Sequence, residues 1–416
     1  MLSRTFKAFQ YRDFRLLWCG ACLSSIGTWM QEIAQNWLVL QITDSPFLLG
    51  LDDFLGNIPI FMFSLVGGVI ADRMDRRKLL MISQVVQMLS AVTLATLIAT
   101  GKIQTAAPAA GAPHPGFWAV WPILLSSFVV GTAQAFGGPA YSALVPSIVE
   151  KEDVPNAIAL NSIQFNVARV IGPVLGGLAL KYAGAAWCFG LNSLSFVAVM
   201  ISLMRLHIDF KPPRTGESIL TGVKQGISFI RKQGAMETLI VIAFLMTALA
   251  IPMITFLPVF ARDVFHKNEL TYTLFLVASG LGSITGALTV ASLGNVANKG
   301  RIALAMLMAL GTGIMGFSLS QSVWVSCFLL FISGAVMMCA FAMISSLVQL
   351  ITPNEMRGRV MSVYNVAFRG GMPFGSLTTG RLVPIFTAPN VLGVNGLILL
   401  AVSAYFLFVQ RRVAAL

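Results

Sequence analysis

A few charged and polar residues lie inside otherwise apolar stretches of this chain, where they could bind a charged molecule or carry a proton. In the first stretch, polar side chains fall within an arc of about 140° at ~100° per residue; they are Ser24, Ser25, Thr28, Gln31, Glu32, Gln35 and Asn36. A helix surrounded by lipid would not carry this stripe, so we expect it to line a polar cavity. Glu32 could carry a proton there, or it could pair permanently with Arg169 or Arg369.

Two adjacent carboxylates, Asp52 and Asp53, lie about two turns into the second apolar stretch. Neighbouring residues point ~100° apart on a helix, so at most one of the two faces the cavity squarely. They could take up protons, or they could be structural groups bonded to a neighbouring helix. Arg169 and Arg369 lie near the middle of later stretches, where they could bind an anionic substrate, neutralise Glu32 or hold helices together.

The composition predicts that these residues are held within a membrane. Of 416 residues, 56% are hydrophobic and 11% are charged, whereas about 25% are charged in a typical soluble domain. Apolar runs of roughly 20 residues, long enough to cross a bilayer, recur along the chain. We therefore predict an all-α polytopic membrane protein with twelve spans, at about 14–40, 46–70, 79–100, 118–145, 156–181, 185–205, 237–261, 270–294, 301–320, 322–350, 358–386 and 390–410.

The net charge of +12 reflects the loops and does not indicate nucleic-acid binding. The N-terminus, the C-terminus and the loops on their side of the membrane hold about 21 Lys and Arg residues, against about five in the opposite loops. This asymmetry places both termini in the cytoplasm, and we expect a bacterial inner-membrane location. The five cysteines lie in apolar runs, and no metal, cofactor or enzyme motif is expected.

The two halves of the chain resemble each other. An Arg precedes a Pro by four residues in the fifth span of each half, as Arg169 with Pro173 and as Arg369 with Pro373. We predict two pseudo-symmetric six-helix bundles, 1–205 and 237–416, joined by a cytoplasmic linker at 206–236 that holds an interfacial helix. Two parallel repeats are an architecture of secondary transporters, with substrate near the midplane between them.

Three motifs resemble one transporter family. Residues 68–77 resemble the loop 2–3 signature of the major facilitator superfamily, and residues 353–362 resemble the loop 10–11 segment of one of its branches. Gly172, Pro173, Gly176 and Gly177 resemble the span 5 motif of its antiporters. The branch is that of the enterobactin-exporter and macrolide-efflux type, also called transmembrane secretion effectors, and it implies the major facilitator fold.

The resemblance implies proton-driven export of small amphipathic molecules, such as drugs or siderophores, by rocker-switch alternating access. It also implies a conformational latch in which Asp72 bonds to the start of span 11; the residues of this predicted latch are Gly68, Asp72, Arg73, Arg76, Arg77, Arg357 and Arg359. The span 5 motif is expected to pack closely across the domain interface. The sequence departs from the family at Asp75, where Gly is usual, and at Ser127, where many antiporters carry Arg.

Two other functions remain open at this point. The same fold could flip lipids or lysophospholipids, or the protein could be a membrane sensor or scaffold that transports nothing. For the transporter, we expect a small amphipathic substrate, protons and the lipid bilayer as partners, and a monomeric state.

Overall fold

The structure is a computed structural model that describes residues 6–105, 115–206, 219–294 and 296–416, without the side chains of residues 72, 219–222 and 293. Within these ranges every regular element is a helix. The helices are α1 (Arg12–Thr43), α2 (Pro46–Arg73), α3 (Arg76–Ala99), α4 (Phe117–Leu144), α5 (Val154–Tyr182), α6 (Ala185–Arg205), α7 (Ile219–Lys232), α8 (Gly234–Thr255), α9 (Glu269–Leu293), α10 (Lys299–Leu319), α11 (Val323–Ile351), α12 (Arg357–Phe386) and α13 (Ala388–Ala404).

The length and apolar composition of the helices confirm the predicted all-α membrane fold. Ten helices of the described chain are long and apolar enough to cross a membrane. The other two predicted spans correspond to α1 and α12, which have 32 and 30 residues and so have ample length. Both carry polar residues along their middle, so the composition by itself supports ten of the twelve predicted spans. The fourteen-residue α7 is too short to span.

Contacts group the chain into two compact units. The first unit comprises Met1–Asp44 and Ile58–Gly216, and the second comprises Ser45–Asn57 and Glu217–Leu416. The boundary near residue 216 falls inside the predicted linker at 206–236. Helix α2 contributes to both units, because its first part, up to Asn57, groups with the second; the sequence does not indicate this. The predicted domain limits at 205 and 237 remain a prediction.

The two units share an order of helix pairing. In the first unit α1 packs on α5 and α6, and α3 packs on α4 and α6. In the second unit α8 packs on α12 and α13, and α10 packs on α11 and α13. In both, therefore, the first helix pairs with the fifth and sixth, and the third with the fourth and sixth. This agrees with the repeat predicted from the Arg and Pro spacing.

Glycines set the closest of these contacts. A Cβ atom on Gly176 of α5 would lie 2.6 Å from Ile33 Cγ2 and 2.8 Å from the Met30 carbonyl oxygen of α1. Gly371 and Gly375 of α12 lie in the same way against the backbone of α8. Small residues let helix backbones approach closely in a membrane, where dispersion contacts replace the hydrophobic effect as the force between helices. The first helix of each unit is thus fixed to the fifth through paired glycines.

Replacing Gly176 by Ala should destabilise the protein. The added methyl group would displace the α1 backbone, at about 1–3 kcal/mol for overpacking, which exceeds the ~1 kcal/mol that Ala gains over Gly within a helix. Gly190 of α6 is the matched control, because a Cβ there would meet nothing within 4 Å. We expect Gly176→Ala to lower the thermal unfolding midpoint of the detergent-solubilised protein and Gly190→Ala to leave it unchanged or higher. Equal midpoints for the two variants would contradict this packing.

Candidate functional site

The polar stripe of α1 bonds to neighbouring helices. Gln31 Oε1 accepts a hydrogen bond of 2.7 Å from Asn192 Nδ2 of α6. Gln35 Nε2 donates one of 2.9 Å to Ser127 Oγ of α4. Hydrogen bonds between membrane helices contribute on average about 0.6 kcal/mol each. Gln31 and Gln35 therefore tie the first unit together; their predicted place in a substrate cavity remains a prediction.

The same stripe also holds α5. Gln164 Nε2 donates to Ser25 Oγ at 2.7 Å and to the Ala21 carbonyl oxygen at 3.1 Å. Helix α1 is thus hydrogen-bonded to three helices of its own unit. Ser127, which the sequence marked as a departure from the family, serves here as the acceptor for Gln35.

Glu32 and Arg169 come together beside an aromatic pair. The Arg169 guanidinium lies over the Trp29 ring, 5.8 Å from its centroid, and the Trp29 ring meets Phe165 edge-on at 6.1 Å. The Glu32 side chain is exposed and its charge acts on Arg169. A cation over an indole ring contributes about 0.5–1 kcal/mol when exposed and about 2 or more when desolvated. The arrangement offers a positive charge and two ring faces to a bound molecule.

The structure distinguishes Asp53 from Asp52. Asp52 is 3% exposed and makes an interaction of its own. Asp53 Oδ1 accepts a hydrogen bond of 3.1 Å from Asn57 Nδ2, and Ser376 of α12 lies beside the carboxyl group. The second oxygen, Oδ2, is buried and has no hydrogen-bond partner within the described residues. Asp53 is therefore the carboxylate whose bonding is incomplete.

Asp53 lies where α2 and α12 cross closely. A Cβ on Gly50 would stand 2.5 Å from the Ser376 carbonyl oxygen and 3.1 Å from Gly380 Cα. One turn further along α2, the Phe54 ring meets the Phe374 ring at 6.2 Å. A charge on Asp53 would thus sit within a tight helix contact of the second unit.

Arg369 lies on the same face of α12 as Ser376, two helical turns away. Its side chain is exposed, and within the described part of the chain it has no hydrogen bond or ion pair. A cation at membrane depth is costly unless a counter-charge, water or ligand compensates it. Arg369 therefore differs from Arg169, which has Trp29 and Glu32 beside it.

The predicted latch lies partly outside the described residues, because the Asp72 side chain is not among them. Arg73 is exposed, and a Cβ on Gly68 would meet nothing within 4 Å. At the start of α12, Arg357 is exposed and Arg359 is half-buried. The backbone of Arg359 lies against Gly226 of α7, so the linker helix packs over the beginning of α12.

Arg76 and Arg77 cap the ends of other helices. Arg76 Nη1 donates to the Ala143 carbonyl oxygen in the last turn of α4, at 3.0 Å. Arg77 donates to the Met204 and Leu206 carbonyl oxygens at the end of α6, at 2.7 and 3.1 Å. The last carbonyl groups of a helix lack partners within it and carry partial negative charge. These arginines therefore fasten α4 and α6 to the start of α3.

The profile of the transmembrane secretion effector family matches residues 3–415. The chain belongs to that family. It is accordingly a multi-pass membrane transporter of the major facilitator superfamily and not an enzyme, as the three motifs predict.

The similar proteins include an enterobactin exporter and a staphyloferrin A transporter. This transporter is 24% identical over 398 residues to the enterobactin exporter EntS of Shigella boydii serotype 4, covering 95% of this chain and 91% of that one. It is 22% identical over 391 residues to the staphyloferrin A transporter of Staphylococcus aureus, covering 93% and 94% of the two chains.

Solved structures share its fold. A bacterial homologue of the iron transporter ferroportin in the inward-facing state superposes with a TM-score of 0.72 at 14% identity, covering 95% of this chain and 98% of that one. A POT family transporter in complex with 5-aminolevulinic acid superposes with a TM-score of 0.73 at 12% identity, covering 97% of both chains. At such identities the likeness supports the fold alone.

Two structural anchors of this transporter were not predicted. Asp75 caps α3, since Oδ1 accepts from the backbone N–H of Arg77 at 2.9 Å. An Asp just before a helical run is a known start signal, so this cap could have been predicted. Asp153, just before α5, binds Lys7 Nζ at 2.8 Å and the Tyr11 hydroxyl at 2.8 Å. Its hydrogen bond raises the pKa of Lys7, and no sequence pattern links residues so far apart.

The capping role of Arg77 can be separated from its positive charge. In Arg77→Gln the carbonyl oxygens at the end of α6 lose their charged donor, and we expect a loss of about 1–2 kcal/mol in stability. Lys78→Gln removes the same charge from an exposed position, so its effect should stay within about 0.5 kcal/mol. Unfolding midpoints in detergent would measure both, and an equal loss in the two variants would mean that Arg77 acts only through its charge.

Proposed function

We propose that this transporter is a proton-coupled exporter of small amphipathic molecules, with siderophores and drugs as the substrate class, working by rocker-switch alternating access. The observation that carries the proposal is the Asp53 carboxyl group, which is held in a close helix contact; within the described residues its Oδ2 has no hydrogen-bond partner and no cation lies beside it. The family and the exporters among its relatives support the direction of transport.

Protonation of Asp53 would change the stability of the contact between α2 and α12. An ionised carboxylate there is incompletely bonded, because its buried Oδ2 has no hydrogen-bond partner within the described residues. A buried charge that is not fully compensated destabilises a packed site by several kcal/mol. The protonated form carries no charge and can stay in the contact. Proton binding at Asp53 would therefore favour the packed arrangement, and proton release would favour its separation.

Helix α2 is divided between the two units after Asn57. This division supports a movement of its first part relative to the rest of the helix. The first unit resumes at Ile58, directly after Asn57, and Pro59 follows within the same helix. A proline inside a helix removes one backbone hydrogen bond and weakens the helix locally. We infer that α2 bends near Pro59 when the part holding Asp53 leaves α12.

The substrate class follows from the charges at membrane depth. In the first unit, Arg169, Trp29 and Phe165 offer a cation and aromatic faces. In the second unit, Arg369 offers an exposed cation that has no hydrogen bond or ion pair within the described residues. These groups suit a molecule with an acidic group and an apolar or aromatic body. Siderophores are named for two relatives, and such chelators belong to this class. Glu32, next to Arg169, would compete with the substrate for that cation.

The closed state on the cytoplasmic side would depend on the predicted latch. The family resemblance assigns Asp72 to a bond at the start of α12, near Arg359, and a carboxylate at a helix N-terminus gains typically 0.3–1 kcal/mol. The Lys and Arg distribution supports a cytoplasmic location for this latch and for both termini, in a bacterial inner membrane.

Transport into everted membrane vesicles tests the proposal. With an acidic lumen, vesicles containing the protein should accumulate apo-enterobactin, apo-staphyloferrin A or ethidium, measured by mass spectrometry or fluorescence of the washed vesicles. Each pH unit across the membrane supplies about tenfold accumulation per proton exchanged. A protonophore should abolish the accumulation, and vesicles without the protein serve as the control.

Two results would contradict this function. Accumulation that is equal with and without the pH gradient would exclude proton coupling. Movement of a labelled lysophospholipid between leaflets, with none of the soluble probes transported, would favour the lipid flippase.

A further inference from the structure

A groove on the surface of the first unit runs between α1 and α6, beginning at the first turn of α1. Its cavity volume is about 300 Å³, at the lower end of the range for ligand sites. Arg12 and Arg15 line its beginning, and Leu16, Leu23 and Ala198 line its length. The groove is separate from Glu32, Arg169 and the contact around Asp53.

Small residues form the floor of the groove. Gly20 of α1 packs against α6 so closely that a Cβ would lie 2.6 Å from Ser202 Oγ and 3.1 Å from Val199 Cα. Ala198 adds only a methyl group beside it. The larger side chains of Leu16 and Leu23 stand on one side, and Leu23 is 54% exposed. The result is an open apolar channel that one hydrocarbon chain can follow.

Two cations, Arg12 and Arg15, lie at the beginning of the groove. Arg12 and Arg15 are one helical turn apart, so their side chains leave the same face of α1. Both are exposed, and neither has an ion-pair partner within the described residues. Asp13 lies between them in sequence but is engaged in another interaction. A singly or doubly charged phosphate group could therefore bind both guanidinium groups.

The dimensions match one leaflet of a bilayer. From Arg12 to Leu23 is eleven residues, which span roughly 16 Å at ~1.5 Å per residue. The hydrocarbon core of a bilayer is about 30 Å thick, so half of it is about 15 Å. With the arginines at the headgroup level, Leu23 lies near the bilayer centre. A free phosphate ion would use the arginines and leave the apolar length of the groove empty.

We propose that this groove binds an anionic phospholipid, with its phosphate between Arg12 and Arg15 and one acyl chain along Leu16, Gly20 and Leu23. Basic residues next to a membrane bind anionic headgroups in this way. Each arginine should contribute about fivefold in affinity, since a basic residue at the surface is worth ~1 kcal/mol and 1.4 kcal/mol is tenfold. The lipid would hold α1 against α6 at the start of the first unit.

Native mass spectrometry of the full chain, purified in detergent, tests the site. The probes are phosphatidylglycerol and phosphatidylcholine with identical acyl chains, titrated separately. We expect the wild-type protein to bind phosphatidylglycerol more tightly than phosphatidylcholine. In the double variant Arg12→Gln, Arg15→Gln, the ratio of these two affinities should fall by about tenfold or more. The control Lys102→Gln, Lys267→Gln removes two exposed cations from loops outside the groove and should keep the preference.

A second variant tests the apolar part without changing the charge. Ala198→Phe fills the groove and should lower phosphatidylglycerol binding while both arginines remain. Its unfolding midpoint in phosphatidylcholine should match that of the wild-type protein, which excludes a general folding defect.

Three outcomes would overturn the proposal. The double variant could retain phosphatidylglycerol as the wild type does, which would place the lipid elsewhere. Ala198→Phe could fold normally and bind the lipid unchanged, which would exclude the groove. Inorganic phosphate could displace the lipid at equal concentration, which would assign the arginines to a free anion.

Discussion

A polar group inside a bilayer finds no water, so the protein itself must bond to it. The first unit is organised by this constraint. Gln31 and Gln35 of α1 are bonded to α6 and α4, and Gln164 of α5 is bonded back to α1. The residues that make α1 too polar for an ordinary membrane span are the ones that join it to three neighbours. Close glycine contacts, such as that of Gly176 with α1, hold the backbones together beside these hydrogen bonds.

The same constraint draws attention to the polar groups whose hydrogen bonding is incomplete. In the part of the chain that the structure describes, Asp53 has an oxygen without a partner at a close helix contact, and the Arg369 guanidinium has no hydrogen bond or ion pair. Ionisable groups at membrane depth are costly and commonly mark substrate or ion pathways. The proposal of proton coupling rests on the first of these groups, Asp53.

Much of the fold could be predicted from sequence, because apolar run length and the Gly, Pro and Arg motifs are local signals. The all-helical membrane fold, the family and the repeat follow from them. The roles of individual polar residues were harder to predict. Periodicity places Gln31 and Gln35 on one face of α1, but it cannot say whether that face meets water or another helix.

The role of Arg77, which follows α2, was equally hard to predict from the sequence. A charged turn is typical of a cytoplasmic loop, and the positive-inside rule accounts for Arg77 by its charge alone. Its acceptors lie 127 and 129 residues further along the chain, so only the folded structure reveals the cap. The choice between Asp52 and Asp53 likewise depends on which one faces α12, which helix geometry alone leaves open.

The central claim is that the incompletely bonded Asp53 carboxyl couples transport to protons. Its most direct test is transport by Asp53→Asn in everted vesicles, because Asn copies the shape of the protonated acid and cannot ionise. At equal expression and an unchanged unfolding midpoint, the variant should lose accumulation driven by the pH gradient and keep exchange of labelled for unlabelled substrate. Accumulation at the wild-type level would contradict the account.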